Sequence, residues 1–197
     1  SLLADEVNAK GGINGRQVKI VVEDDAGDPK QGPVVAQKLV DAKVVGVVGH
    51  LNSGVSIPAN AVYAKAGLVQ ISPSSTNPDY TIKGNKTPKG SVSSYRVVAT
   101  DAQQGPALGK YMLGKNAKTV AVLDDATQYG KGLADQVAKT MEGAGAKVVA
   151  REAATDKTTD FKAVLTKIKG LNPDYVFWGG MDDTAASLVK QMKELGM

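Results

Sequence analysis

The sequence contains no cysteine and a single histidine, His50, among its 197 residues. A disulfide framework, a thiolate metal centre and a cysteine nucleophile are therefore excluded, as is any site that needs two imidazoles. Arginine is scarce too: Arg16, Arg96 and Arg151 are the only ones. The other basic residues are lysines dotted along the chain, the net charge is +4, and no segment forms a basic stripe with interleaved aromatics. Nucleic-acid binders concentrate positive charge on one face and read bases with bidentate arginines, so no nucleic acid is expected as a partner. No apolar run approaches the roughly 18 residues that span a bilayer. Also absent are a G-x-S-x-G elbow, a G-x-x-x-x-G-K-[ST] phosphate loop and a G-x-G-x-x-G turn opening a helix. No enzyme constellation and no cofactor are expected.

What is present is the composition of a globular α/β protein, 42% hydrophobic and 22% charged. Strand-like and helix-like segments alternate. Gln17–Glu23 (QVKIVVE) reads as a β-branched strand, and Asp28-Pro29 as the cap and first turn of a helix reaching Ala42. Val44–Val48 is a short apolar strand covered on both faces. Ser53 caps a helix through Ala66, Leu68–Ile71 and Tyr95–Val98 are strands, and Asp101 caps the helix that follows. In the second half, Thr119–Leu123, Lys147–Arg151 and Tyr175–Trp178 are strands. Leu133, Val137 and Met141, then Phe161, Leu165 and Ile168, then Leu188, Met192 and Leu195 trace helix faces between and after them. Alternation at this spacing predicts βαβ units, parallel sheets and right-handed crossovers. The long Ser/Thr/Asn/Pro/Gly/Lys-rich stretch Ser72–Ser94 is read as one irregular loop, with a lobe boundary just after it. The expectation is two Rossmann-like parallel-sheet lobes, residues 1–97 and 98–197, with a cleft between them.

Ligands of parallel α/β sheets bind beyond the carboxyl ends of strands, where helix N-termini offer free N–H groups. Three such ends stand out. Gly49–Gly54 (GHLNSG) places Asn52 and the small hydroxyl of Ser53 at a helix start, which suits a carboxylate unless Ser53 merely caps its own helix. Ser72–Thr76 (SPSST) offers Ser74, Ser75 and Thr76 as carbonyl and hydroxyl partners for an ammonium, with an ordinary Ser/Thr turn as the alternative. Asp124–Gly130 (DDATQYG) brings Tyr129 to the opposing side. His50 lacks a nucleophile or acid at any recognisable spacing and reads as a structural histidine. The adjacent pairs Asp24-Asp25 and Asp182-Asp183 read as turns and caps.

Seven segments in register, VNAKGGING (7–15), DDAGDPKQ (24–31), GHLNSG (49–54), ISPSSTNP (71–78), DAQQGP (101–106), DDATQYGKGLA (124–134) and FWGG (177–180), resemble the branched-chain amino-acid binding proteins, the periplasmic or lipid-anchored receptors of ABC importers. The resemblance covers essentially the whole chain. It implies a type I periplasmic-binding-protein fold, a small amino acid held by hinge closure, a membrane permease as partner and a periplasmic location. By the same resemblance Ser53 holds the α-carboxylate, and the Ser74 carbonyl and Thr76 meet the ammonium. Thr76 also offers its amide, and Tyr129 packs over the ligand. Three departures stand beside it. Met181 occupies a place where leucine-type receptors carry a cleft tyrosine. Gly27 and Asn52 occupy the two ends of a disulfide found in many relatives. The loop Asn77–Ser94 is longer than usual. The family also implies further segments beyond both ends of this chain. The expectation is therefore an incomplete fold with an unpaired sheet edge, completed by those segments or by another copy. The alternatives weighed are a sensor domain of the same fold, a binder of an aromatic acid or amide, and a flavodoxin-like enzyme.

Overall fold

A computed structural model describes all 197 residues. From α2 onward helices and strands alternate: α1 (Leu2–Ala9), α2 (Gln31–Asp41), β1 (Val47–Val48), α3 (Ser53–Lys65), β2 (Gln70–Ser72), α4 (Asp79–Ile82), β3 (Ser94–Arg96), α5 (Asp101–Gly114), β4 (Thr119–Asp124), α6 (Gln128–Gly143), β5 (Lys147–Ala153), α7 (Lys162–Leu171), β6 (Tyr175–Gly179) and α8 (Asp182–Glu194). Two separate parallel sheets result, β1-β2-β3 and β5-β4-β6. No helix is long and apolar enough to cross a membrane.

The second sheet shows why a parallel sheet demands apolar strands. Its central strand β4 is buried almost end to end, and its side chains alternate between two cores. Val120 and Val122 face Met112 of α5 and Ala134, Val137 and Met141 of α6. Ala121 and Leu123 face Phe161, Leu165, Ile168 and Leu188, the stripes of α7 and α8. Helices α5 and α6 approach so closely that a Cβ on Gly109 would lie 2.7 Å from Thr140 Cγ2. Only glycine fits there.

The first sheet is covered on one face only. Val47 joins Val35, Ala36 and Leu39 of α2 and Ala59 and Tyr63 of α3 in a small core. In the same register, Val48, Ile71 and Tyr95 form a row across β1, β2 and β3 on the other face. That row is exposed, Val48 to 85%. The expected strand Gln17–Glu23 forms no ladder at all. It is held at its start by Asn8, whose side chain donates to the Val18 carbonyl at 2.8 Å and accepts the Val18 N–H at 2.6 Å. A cavity of about 730 Å³ separates residues 18–23 from residues 44–51. The β-branched sequence is strand-like, but a strand exists only when another backbone lies at hydrogen-bonding distance, and here none does.

Several local expectations shift in the same way. Helix α2 begins at Gln31, two residues later than expected, while Asp28 still caps the turn leading into it, its side chain accepting the Lys30 N–H at 2.9 Å. The stretch 72–94 is not wholly irregular: it contains α4 and an isolated antiparallel bridge between Lys86 and Val92. The expected caps Ser53 and Asp101 are both first helical residues, with Asn52 and Thr100 in the cap positions. Both shifts free a polar side chain beside the lobe junction.

Candidate functional site

Helix α3 starts without a cap. Asn52 makes no side-chain cap bond, and the Ser53 and Gly54 amides find no acceptor. Two free donors at the positive end of a 13-residue helix form a ready partner for a carboxylate. The buried Ser53 hydroxyl does not cap its own helix; it accepts the Asn77 N–H at 3.2 Å. That contact ties the α3 start to the turn that carries Thr76.

The turn Ser72–Asn77 is fixed from both sides. Ser72 Oγ accepts the N–H groups of Ser74 (3.3 Å) and Ser75 (2.9 Å). Arg96 Nη1 donates to the Ser75 carbonyl at 2.5 Å, and Nη2 to the Asn77 carbonyl at 2.8 Å and Thr81 Oγ1 at 2.9 Å. Its guanidinium also stands 5.4 Å from the centre of the Tyr80 ring. Ser74 and Thr76 remain half-buried, and the Ser74 carbonyl accepts nothing from the protein. Ser75 is different. Its hydroxyl is fully buried against Ser56 Oγ (2.7 Å) and the Leu51 carbonyl (3.1 Å), so the structure places it inside the lobe rather than toward the junction.

Asp101, expected as the cap of α5, is instead its first helical residue. Thr100 and Gln103 form a reciprocal capping box at the start of α5, which leaves the Asp101 carboxylate with no capping duty. The T-x-x-Q spacing in the sequence carried that signal. Asp101 is fully buried, and the one group beside its carboxylate able to donate to it is the buried Thr76 hydroxyl, at a geometry short of a well-formed hydrogen bond. Burial pushes the Asp101 carboxyl above its ordinary range, against the opposing pull of Thr76 and Arg96. The backbone joins the same two residues, the Asp101 N–H donating to the Thr76 carbonyl at 2.9 Å.

Tyr129 completes the group from the second lobe. It lies at the start of α6, half-buried, its phenol pushed upward mainly by burial and further by the charges of Asp101 and Asp125. The lobes touch beside it, where Asn77 Nδ2 donates to the Gln128 carbonyl at 2.7 Å. Ser53, Thr76, Asp101 and Tyr129 therefore surround one junction. Next to it lies a cavity of about 420 Å³ whose walls include Gly27, Asn52 and Gly54 from the first lobe and Tyr129, Lys157 and Met181 from the second. That volume falls within the range of small-molecule sites. Met181 is at the N-cap of α8, half-buried, with its carbonyl accepting from Thr184 Oγ1 at 3.1 Å. Gly27 and Asn52 are true neighbours: a Cβ on Gly27 would lie 3.2 Å from Asn52 Nδ2. The pair Asp24-Asp25 serves a turn, as expected, whereas Asp182 and Asp183 are the first residues of α8, with Met181 in the cap position. Asp24 and Asp25 accept the N–H groups of Ala26 and Gly27, each at 2.8 Å, and Asp183 accepts that of Thr184.

Two parallel sheets with their helices thus meet at a junction that has free donors on one side and a buried carboxylate on the other. The chain belongs to the periplasmic binding protein family, whose model matches residues 1–197. It is 42% identical over 194 residues to a Leu/Ile/Val-binding protein homologue of Brucella abortus, covering 98% of this chain and 50% of that protein. It is 39% identical to a leucine-, isoleucine-, valine-, threonine- and alanine-binding protein of Pseudomonas aeruginosa, with the same coverage. Among solved structures, the branched-chain amino acid transporter substrate-binding protein LivJ of Streptococcus pneumoniae, in complex with isoleucine, matches with a TM-score of 0.83 and 34% identity over 99% of this chain and 54% of that one. The chain thus spans about half the length of the relatives it matches.

Proposed function

We propose that this protein is a non-enzymatic, extracytoplasmic substrate-binding protein that captures a small aliphatic amino acid and delivers it to an ABC-type permease. The observation that carries this reading is the pair of opposite poles at the junction. Free α3 amides and the Ser53 hydroxyl offer donors for a carboxylate, while the buried Asp101 carboxylate, the Thr76 hydroxyl and the Ser74 carbonyl offer acceptors for an ammonium. A zwitterion satisfies both poles at once, and nothing among these groups is a base aligned on a nucleophile. Tyr129 then closes over the bound molecule, and Asn52 and Met181 face its side chain from the cavity beside it. Residues 1–97 and 98–197 act as the two closing lobes. The names of the relatives support an aliphatic side chain, and their greater length supports further segments, or a second copy, completing the open first sheet.

Isothermal titration calorimetry of the complete native polypeptide tests the proposal. Leucine, isoleucine, valine, alanine and threonine are the panel, with the matching α-hydroxy acids and amines as one-pole controls. Saturable binding of at least one amino acid, with both one-pole controls at least about tenfold weaker, is expected from the loss of a charge-assisted contact. Absence of binding to every member would overturn it.

A further inference from the structure

One buried group in the first lobe has no part in the site as described: His50, which is 6% exposed. Its Nδ1 lies 2.6 Å from Asp25 Oδ2 and its Nε2 lies 3.0 Å from the Tyr63 hydroxyl. Asp25 offers only acceptors, so Nδ1 carries the proton and Nε2 accepts from Tyr63. Tyr63 is itself fully buried, and burial together with the Asp25 charge keeps its phenol protonated and able to donate. The backbone carbonyl of His50 accepts from Ser72 Oγ at 2.6 Å and from Ser56 Oγ at 3.1 Å. Ser72 Oγ is the same atom that receives the Ser74 and Ser75 amides.

We propose that His50 is a positioning residue: its ring and its carbonyl together hold the turns Asp24–Gly27, Asn52–Gly54 and Ser74–Thr76 in one fixed relation to each other. The inference rests on the reading of those turns as the ligand-facing rim of the first lobe. Gly27, Asn52 and Gly54 line the cavity, and Ser74 and Thr76 lead to Asp101. The second lobe supplies an internal comparison. Asp124–Thr127 makes the same turn, with Asp124 and Asp125 accepting the Ala126 and Thr127 amides and with Ala126, like Ala26, at positive φ. There the second aspartate's Oδ2 has no partner. The turn therefore forms without a histidine, and the Asp25–His50 bond serves to anchor one turn to another. Nothing else in the first lobe bonds the Asp24–Gly27 turn to the residues of the α3 start.

The test uses the complete native polypeptide with His50→Leu, His50→Gln and Tyr63→Phe. Amide hydrogen exchange at Gly27, Ser74 and Ser75 is read without ligand, and amino-acid affinity is read by calorimetry. His50→Leu is expected to speed exchange at all three amides and to weaken affinity at least tenfold. His50→Gln, which keeps a donor and an acceptor on one head group, is expected to recover most of both. Tyr63→Phe, the mildest change, keeps the test open if His50→Leu fails to fold, and is expected to speed exchange at the same amides to a smaller degree. Unchanged exchange in the folded variants, or glutamine rescuing no better than leucine, would overturn the proposal. If the wild type binds no amino acid, the proposed function falls while the exchange measurements still decide the role of His50.

Discussion

Replacing Asp101 by asparagine should move stability and binding in opposite directions. The carboxyl is fully buried with only the Thr76 hydroxyl close by and Arg96 farther off, so ionising it costs the fold more desolvation than those neighbours return. Asparagine keeps the shape and removes the charge, so the free protein should gain stability. Binding should suffer. A hydrogen bond to a charged group contributes about 1.5–3 kcal/mol, which corresponds to a roughly 10- to 150-fold rise in Kd for an amino acid. The pH dependence follows from the same shift. The Asp101 carboxyl is raised above its value in the unfolded chain, so the native state holds that proton more tightly. The stability penalty is absent below the ordinary aspartate range and grows as pH rises through the raised value. Amino-acid affinity should climb across that same interval as the carboxylate ionises. Thermal melts and calorimetric titrations of both proteins from acid to neutral pH would show the two trends mirrored in the wild type and flattened in the variant. A variant that melts lower and binds as tightly as the wild type would refute the reasoning.

Four further outcomes can be checked directly. Ser53→Ala should weaken amino-acid binding by about 1.5–3 kcal/mol in calorimetry, through loss of a donor to the carboxylate, while the free α3 amides keep some affinity. Gly109→Ala should destabilise the protein by about 1–3 kcal/mol in denaturant titration, because the new methyl meets Thr140 across the α5–α6 contact. Arg96→Met strips donors from the carbonyls of Ser75 and Asn77; with about 1–3 kcal/mol for each buried group left unpaired, it should both lower the melting temperature and weaken binding. Val48→Lys on the uncovered row of the first sheet should reduce any self-association of the 197-residue chain in sedimentation velocity, with little change in its melting temperature.

Much of the candidate site was legible before the fold. Ser53 and Tyr129 lie at helix starts and Thr76 in the turn after β2, all just past strand ends, and that position directs such residues toward the carboxyl edge of a parallel sheet. Asp101 was misread because an aspartate before a helix is so often its cap; only the reciprocal bonds of Thr100 and Gln103 show that the cap is taken. Ser75 was grouped with its neighbours because three consecutive small hydroxyl residues look alike in sequence. Their directions differ, since Ser75 turns inward to Ser56 and Leu51. Arg96 gave no signal at all, for its partners are carbonyls and a hydroxyl 15 to 21 residues away.

Most of the helices and strands, the apolar faces of the second-lobe helices and the family itself were legible in the sequence, because hydrophobic periodicity and local turn chemistry act within a few residues. The partners that turn a strand-like segment into a strand, and an isolated aspartate into a buried charge, come from distant parts of the chain. Gln17–Glu23 has β-branched residues and no neighbouring backbone, and Asp101 has burial and little beyond the Thr76 hydroxyl to offset it. Both facts depend on which surfaces meet in three dimensions, and only the tertiary structure decides that.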